Sequence, residues 1–477
     1  MILSLRRISI INPLLLLLLI LGLFTETGIS QELWMGIYSD GKRVGYSHNS
    51  ITEKDGVKDV IKESKLSIDI LGSKQEVDIN AHWGLNGYEI QRFSYDLISP
   101  TGKLSATGIR NGNSIEITIT TVSGQRSLQF PMEGEYIIIP LIPKWLAEKG
   151  LETGKSYSVT AFDPASILMG IPPEKFKSTH TIGPEVLVDI PGAKNLKAFR
   201  VESKLLDTEY TTWITKEGNV LKQTVPPGLI AVKEKKRDIL GGGIVEYDLA
   251  AKTSIPSNMK LDNARSISYM QIYIKGINDG DGLDVKDNYR QFTSGNLLEI
   301  KSNNLNNIKS LTLPINGDKY APYLESTALI QSDDPEINAK TKEIIKGEAD
   351  SLRASQKIND WIYYNLKKEG TISIPNAKDV LKTMSGDCNE HATLFTAMAR
   401  SAGIPTKIAL GLIYIDGRFY YHAWNEVYVG RWIAVDPAYG QLPADATHIK
   451  FIEGDLTNSS EISKLVGKIN IEITDAS

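Results

Sequence analysis

Cysteine is nearly absent from this chain of 477 residues, which contains one, Cys388. A single cysteine cannot form an internal disulfide, so the class of small secreted domains stabilised by disulfides is excluded. Histidines are also few, six in all, and His48, His82 and His180 lie far apart without the spacing of metal ligands. The sequence therefore indicates neither a metal ion nor a cofactor.

An excess of positive charge is also lacking. The chain has 53 basic and 57 acidic residues, which gives a formal net charge of −4. The one short basic cluster, Lys233 with Lys235 to Arg237, is interrupted by Glu234, and we interpret it as a solvated surface. Nucleic acid is therefore not an expected partner. With 41% hydrophobic and 23% charged residues, the composition is that of a globular protein with two or three domains.

Long hydrophobic runs are missing except at the N-terminus. Arg6 and Arg7 precede a mainly apolar run of 17 residues, Ile8–Phe24, and the small residues Gly28 and Ser30 follow at a plausible cleavage spacing. The pattern predicts a signal peptide; the alternative is an uncleaved anchor, since the run is at the short limit for a membrane span. We expect an exported protein, in the periplasm or cell envelope or secreted, with membrane contact only through this segment. The sequence does not indicate its oligomeric state.

The single cysteine lies where a thiol becomes a nucleophile. Asp387 and Glu390 have the spacing of a capping box, which predicts a helix beginning at Cys388, and Gly403 and Pro405 mark its end. The unpaired N–H groups and the dipole of a helix N-terminus favour the thiolate. The structural alternative is a buried, inert thiol. In an oxidising compartment an unpaired thiol is a liability unless it reacts or is well buried.

A histidine and an aspartate follow on predicted strands. Thr406–Tyr414 and Arg418–Val429 form a predicted hairpin, with His422 in the second strand, and Asp436 lies near the end of a third short strand. Cysteine, histidine and aspartate in this order are the nucleophile, base and orienting group that acyl transfer through a thiolate requires.

The turn between the last two strands decides whether His422 and Asp436 lie on the same face. A two-residue loop would place Asp436 on the face opposite His422. A three-residue turn, Val429–Arg431, with a glycine-enabled bulge pairs Tyr428 with Trp432 and restores the shared face. We predict the three-residue turn.

Three segments, GDCNEHATLFTAMARSAGIP, HAWNEVYV and RWIAVDPA, together resemble the catalytic core of the transglutaminase-like superfamily. The resemblance covers about Tyr320–Ile449 and implies a fold similar to that of papain-type thiol enzymes. It also implies that Cys388 is the nucleophile, His422 the general base and acid, and Asp436 the orienting residue.

The oxyanion hole is less well defined by the sequence. The backbone N–H of Cys388 is one expected donor. Papain-like enzymes use a glutamine shortly before the cysteine, but no glutamine lies between Gln356 and Cys388. The resemblance implies a tryptophan in other members, and Trp361 is the nearest candidate, although its helical spacing with Ile358 and Ile362 favours a core position.

The first two thirds of the chain alternate polar and apolar residues, as at Ile115, Ile117 and Ile119, and predict mostly β-strands, with one short helix at Ile142–Lys149. The expected fold class is α+β, a papain-like core of helices packed on an antiparallel sheet, preceded by a large β-rich domain. The predicted domains are an N-terminal signal or anchor, a β-rich domain, a β-rich connecting segment, a catalytic core and a tail, at 1–30, 31–254, 255–319, 320–450 and 451–477.

An acidic stretch, Asn278–Asn288, invites a calcium interpretation. Its oxygens do not follow the EF-hand pattern, because the fifth position counted from Asp279 is Leu283. We predict a loop that connects strands.

Three functions are compatible with the sequence. The favoured one is an exported cysteine-dependent amide hydrolase, a protease or amidase, that acts on a protein or peptide substrate through a thioester. The second is acyl transfer of the same thioester to an amine, as in protein crosslinking. The third is a non-catalytic binding or scaffold protein of the cell envelope. Under all three, the β-rich region fits a role in binding a partner or substrate.

Overall fold

The computed structural model describes residues 30–477 except 71–72, 169, 172, 206–207, 278–286, 288, 307, 455–461, 463–464 and 466. The predicted signal or anchor and most of the acidic stretch lie outside the described residues. The described residues divide into two compact units: one runs to Asp69 and continues over Lys74–Asp248, and the other consists of Leu249–Ser477 with Ile70–Ser73. No helix within the described ranges is long and apolar enough to cross a membrane.

The first unit is a large, almost wholly antiparallel sheet. Strands β1 to β8 follow one another as neighbours, β9 to β15 do the same, and β1 pairs with β15 to join the two series. The strands of this unit are Ser30–Ser39 (β1), Lys42–Lys54 (β2), Val57–Ile70 (β3), Ser73–Asn86 (β4), Glu89–Ser99 (β5), Gly102–Asn111 (β6), Ser114–Thr121 (β7), Gly124–Pro131 (β8), Tyr136–Ile138 (β9), Ser156–Phe162 (β10), Lys177–Ile190 (β11), Ala193–Leu205 (β12), Thr208–Ile214 (β13), Val220–Val225 (β14), Leu229–Lys233 (β15) and Tyr247–Asp248 (β16).

The alternation of polar and apolar residues in the sequence corresponds to alternating exposed and buried side chains in this sheet. Ile115, Ile117 and Ile119 of β7 are at most 1% exposed, because successive side chains of a strand point to opposite faces. The helices here are Ile142–Lys149 (α1), Pro164–Leu168 (α2) and Lys236–Leu240 (α3). The predicted strand at Ile115–Ile119 and the predicted helix α1 are therefore confirmed.

The second unit combines helices with three small sheets. Its helices are Leu249–Thr253 (α4), Pro335–Ile345 (α5), Ser351–Asn365 (α6), Ala377–Thr383 (α7) and Cys388–Ser401 (α8). Its strands are Ile255–Pro256 (β17), Tyr269–Lys275 (β18), Gln291–Ser294 (β19), Leu297–Lys301 (β20), Lys367–Lys368 (β21), Ser385–Gly386 (β22), Thr406–Ile415 (β23), Arg418–Tyr428 (β24), Trp432–Val435 (β25), Ile449–Gly454 (β26) and Asn470–Ala476 (β27).

One sheet of this unit carries helix α8. Its order is β17, β24, β23 and β26, with β25 added to the free end of β24, and α8 packs against β23 and β24. A second sheet has the order β19, β20, β18 and β27, so the last strand of the chain pairs with β18, a strand some 200 residues earlier in sequence. Helices on an antiparallel sheet agree with α+β for this unit, whereas the first unit is nearly all strand.

The predicted three-residue turn is confirmed. Tyr428 pairs with Trp432, the N–H of Val429 donates to the carbonyl of Arg431 at 3.0 Å, and Gly430 has φ = +112°. Glycine adopts this φ without the steric cost that a Cβ would impose. This register of β24 and β25 places Asp436, the residue after β25, on the same face of the sheet as His422.

Candidate active site

The cysteine lies at the first position of α8, and the predicted capping box is present. The Asp387 carboxylate accepts from the backbone N–H of Asn389 at 2.8 Å, and the Glu390 carboxylate accepts from the backbone N–H of Asp387 at 2.8 Å. Gly386 is required next to this box, since a Cβ there would lie 2.3 Å from the Cβ of Glu390. The start of the helix at Cys388 is therefore fixed locally.

The segment before the helix is held by a second set of contacts. Lys367–Lys368 pairs in parallel with Ser385–Gly386, directly before the capping residue. The hydroxyls of Thr371 and Ser373 donate to the two carboxylate oxygens of Glu390, at 2.9 and 2.5 Å. The turn that carries the cysteine is thus anchored from both sides.

Strand β24 is connected to α8 by buried polar contacts. The Asn425 side chain donates to the carbonyl of Ala392 at 3.0 Å and to the hydroxyl of Thr396 at 2.7 Å. The backbone N–H of Ala423 donates to Sγ of Cys388 at 3.2 Å. The thiol therefore lies against the backbone of the residue that follows His422.

His422 and Asp436 form a direct pair. Nε2 of His422 lies 2.8 Å from Oδ2 of Asp436, and the backbone N–H groups of Ala438 and Tyr439 donate to Oδ1 of Asp436 at 2.8 and 3.2 Å. Cys388, His422 and Asp436 are each 0% exposed. The structure thus brings the three residues named from the sequence into one buried region, although their catalytic roles stay a prediction.

Burial and neighbouring charges determine the protonation of this pair. Burial by itself would raise the pKa of Asp436, but electrostatic attraction and hydrogen bonds from His422 and His448 outweigh it and hold that pKa far below its usual range. Burial lowers the pKa of His422 despite the attraction of Asp436. The favoured state is an ionised Asp436 beside a neutral His422 that donates from Nε2. Nδ1 of His422 is buried and has no hydrogen-bond partner among the described residues, so its lone pair is available for a proton.

A second histidine, which the sequence analysis did not single out, shares the same carboxylate oxygen. Nε2 of His448 lies 2.9 Å from Oδ2 of Asp436, and Nδ1 lies 3.3 Å from Oδ1 of Asp445. The other oxygen of Asp445 lies 3.3 Å from the guanidinium of Arg265. His448 follows no recognisable motif. It reaches the site because β26, which it precedes, pairs with β23 next to β24.

One nitrogen or oxygen atom from each of His422, Asp436 and His448 lies within 4.8 Å of the other two. Two histidines and a carboxylate at this spacing are a set that could bind a metal ion. Both imidazole nitrogens, however, lie at hydrogen-bonding distance, 2.8 and 2.9 Å, from the same carboxylate oxygen. This geometry is that of two N–H donors on one acceptor, and we give these residues a hydrogen-bonding role.

Two further polar side chains lie near the triad. Nδ1 of His391 lies 2.6 Å from the carbonyl oxygen of Asp387, and burial lowers the pKa of this histidine to about 4. The ring of Tyr439 is edge-on to His422 with 5.7 Å between centroids, and its hydroxyl is buried without a partner among the described residues.

Trp361, the candidate for the second oxyanion donor, lies in α6 with the ammonium of Lys340 5.8 Å from its ring centre.

Comparisons with known proteins match part of the second unit to a known family. The profile of the Transglutaminase-like superfamily matches residues 338–437. Mouse kyphoscoliosis peptidase is 37% identical over 82 residues, which cover 15% of this chain and 12% of that protein. The chain therefore spans about an eighth of that relative's length.

Two solved structures of bacterial proteins also match parts of this chain. One, from Cytophaga hutchinsonii and provisionally described as a cysteine protease, has 16% identity and a TM-score of 0.28, over 44% of this chain and 86% of that one. The other, the periplasmic domain of TgpA from Pseudomonas aeruginosa, has 21% identity and a TM-score of 0.21, over 25% of this chain and 48% of that one. By the match of the family profile, residues 338–437 form a transglutaminase-like domain.

Proposed function

We propose that this protein is a cysteine-dependent amide hydrolase in which Cys388, His422 and Asp436 act as a catalytic triad. One observation carries the proposal: the single thiol of the chain lies at a helix N-terminus, beside a buried pair of His422 and Asp436 joined at 2.8 Å. This is the combination of nucleophile, base and orienting group that thiol acyl transfer requires.

The proposed acylation step uses the free lone pair at Nδ1 of His422 and the thiol that lies against the backbone of Ala423. Nδ1 of His422 takes the proton of the thiol, and Sγ of Cys388 forms a bond to the carbonyl carbon of the substrate amide. The carbonyl oxygen becomes an oxyanion, which the backbone N–H of Cys388 at the start of α8 stabilises. His422 then gives its proton to the amide nitrogen, the C–N bond breaks, and the amine leaves a thioester on Cys388.

Water completes the reaction in the proposed hydrolase. His422 takes a proton from the attacking water, the new C–O bond forms, the C–S bond breaks, and the acid product leaves as the thiol recovers its proton. Asp436 stays ionised throughout and keeps His422 in the tautomer that donates from Nε2. An amine in place of water would give acyl transfer by the same steps.

The proposal extends to place and substrate. The apolar N-terminal segment with its preceding arginines supports export, and the action of thiol hydrolases on amides supports a protein or peptide substrate. The β-rich first unit supports a role in substrate or partner binding, since it is large and carries no catalytic constellation in its sequence.

Labelling of the full-length protein with iodoacetamide across pH tests the activated thiol. We expect Cys388 to react well below the ordinary cysteine pKa of about 8.5, and we expect His422→Ala to lower the rate at pH 7 by at least about tenfold. His180→Ala is the matched control, because His180 is also buried, at 1% exposed, but belongs to the first unit.

Slow wild-type labelling that is insensitive to His422→Ala would reject the triad and favour the non-catalytic scaffold. If the thiol is activated, incubation with a peptide library in water enriched in heavy oxygen separates the two chemistries. Hydrolysis places the heavy oxygen in a new carboxylate, whereas transfer attaches an added fluorescent amine to the peptide. A library that yields neither product with an activated thiol would contradict the hydrolase proposal for peptides.

A further inference from the structure

His448 is unusual because both of its ring nitrogens face hydrogen-bond acceptors. Nε2 lies 2.9 Å from a carboxylate oxygen of Asp436, and Nδ1 lies 3.2 Å from the backbone carbonyl and 3.3 Å from a carboxylate oxygen of Asp445. A neutral imidazole has one N–H and one lone pair, so it would turn its lone pair toward one of these oxygens. Only the imidazolium satisfies both sides.

The charges around His448 agree with this assignment. Asp436 and Asp445 are 0% and 3% exposed, and Arg265 pairs with Asp445. Among the described residues, Arg265 contacts the Asp445 carboxylate, whereas Lys368 attracts Asp436 and Arg290 attracts Asp445 at longer range. With both His422 and His448 neutral, no cationic side chain of the described residues would contact Asp436, which is costly for a buried carboxylate. A cationic His448 supplies that contact.

We propose that His448 is a positioning residue, kept as an imidazolium between Asp445 and Asp436, that holds Asp436 for His422 and balances its charge. The inference rests on the proposed function, because it concerns the same triad. The path Arg265, Asp445, His448, Asp436 and His422 is continuous, with contacts of 3.3, 3.3, 2.9 and 2.8 Å.

This arrangement has a chemical consequence for the base. An uncompensated Asp436 would attract a proton onto His422 and leave no lone pair at Nδ1. The imidazolium of His448 lies on the same carboxylate oxygen, and its ring centroid is 5.6 Å from that of His422. Its positive charge opposes protonation of His422, so Nδ1 stays available for the thiol proton.

Other charged groups also face this region. The guanidinium of Arg290 donates to the backbone carbonyl of His448 at 2.6 Å and to that of Asp445. Its charge opposes protonation of His448, but it is offset by attraction to Asp287 and Glu426 as well as Asp445. The two carboxylates that contact the imidazole itself therefore dominate.

Nitrogen NMR of the full-length protein with labelled histidine tests the protonation state directly. Long-range correlations distinguish an imidazolium from each neutral tautomer, and His448→Gln and His422→Gln assign the two signals. We expect both nitrogens of His448 to carry protons at pH 7 and His422 to be neutral with its proton on Nε2. A neutral His448 at pH 7 would overturn the inference.

The variant His448→Gln tests the effect on the base. The glutamine amide keeps a neutral donor toward Asp436 but removes the positive charge. We expect the proton affinity of His422 to rise about tenfold, so that its titration moves to higher pH. His180→Gln is the control, since it replaces a buried histidine whose ring nitrogens lie at hydrogen-bonding distance from Ser178 and Ser203 in the first unit.

The outcomes separate the two proposals. If His448→Gln leaves the His422 titration unchanged while the wild-type thiol depends on His422, the triad stands and the role of His448 is rejected. If His448 is an imidazolium and its replacement shifts the titration of His422, but the labelling rate of Cys388 does not depend on His422, the role of His448 stands and the hydrolase proposal fails. His448→Leu, which removes both donor and charge, should reduce labelling more than His448→Gln; equal labelling of the two would contradict the positioning role.

Discussion

Asp436 makes extensive polar contacts in the proposed triad. One carboxylate oxygen accepts from two backbone N–H groups and the other from two imidazoles, at 2.8 to 3.2 Å, and the residue is 0% exposed. A carboxylate with this many donors is fixed in place before any substrate arrives. The orientation of His422 is therefore a property of the folded protein and does not depend on the substrate.

We expect Asp436→Asn to reduce both labelling and stability. An amide has one acceptor oxygen, so the NH2 group of the new asparagine would face N–H donors. The negative charge that balances the positive charge of His448 would also be lost. Labelling of Cys388 at pH 7 should fall at least about 100-fold, and the free energy of unfolding by about 3–5 kcal/mol. Iodoacetamide kinetics and urea denaturation measure the two effects, with Asp55→Asn as control, since Asp55 lies in an exposed turn at φ = +53°.

Asp436→Asn should also reduce the loss of folding stability that the protein undergoes at low pH. Because the folded pKa of Asp436 is held far below its unfolded value of about 3.9, the stability from this residue is complete above that value and is lost as the pH falls through the folded pKa. Wild type should lose stability below about pH 4 more steeply than Asp436→Asn. Parallel pH profiles of the two proteins would contradict the assignment of an ionised Asp436.

At the scale of elements, the start of α8 positions Cys388. Three sets of contacts hold the residues next to Cys388. They are the capping box, the parallel pairing of β21 with β22, and the hydroxyl groups that donate to Glu390. Strand β24 is held to the same helix through Asn425. The relative placement of thiol and histidine thus depends on one helix terminus and one strand.

Gly386→Ala should disturb this terminus without touching the triad. The new Cβ would lie 2.3 Å from the Cβ of Glu390, so the capping box must shift. We expect a loss of about 1–3 kcal/mol in stability and slower labelling of Cys388. Gly243→Ala is the control, because a Cβ there meets nothing within 4 Å. Equal stability and labelling of the two variants would show that the capping box does not set the position of the thiol.

At the scale of the whole molecule, the chain carries one thiol, and it is buried. Cys388 is the one cysteine of the chain and is 0% exposed. A reagent can reach this thiol only if the groups around it move. The half-buried Tyr439 lies beside the same site, with its ring edge toward His422.

We expect reductant to leave the thermal unfolding midpoint unchanged, because no internal disulfide exists. An aromatic disulfide reagent should count one thiol per chain in denaturant but react much more slowly with the native protein than small iodoacetamide does. Calorimetry with and without reductant, and thiol titration, make the measurements. Disulfide-linked dimers of the native protein, or equal rates for the bulky and small reagents, would show that the thiol is open to solvent.

The local parts of this site could be predicted from the sequence. The capping box at Asp387 and Glu390 and the turn at Gly430 depend on residues a few positions apart, and the structure has both. Periodicity likewise located the strand at Ile115–Ile119 and helix α1. These features were predictable because capping, alternation and turn geometry are properties of short segments.

The sequence by itself thus determined which residues can supply a nucleophile, a base and an orienting group, and on which elements they lie. The tertiary structure alone decided that His448 shares Asp436 with His422, that the three side chains of the proposed triad are fully buried, and that β27 pairs with β18. The reason is physical: these contacts depend on which strands become neighbours in a sheet. That choice minimises the free energy of the whole chain and is not encoded in any short segment.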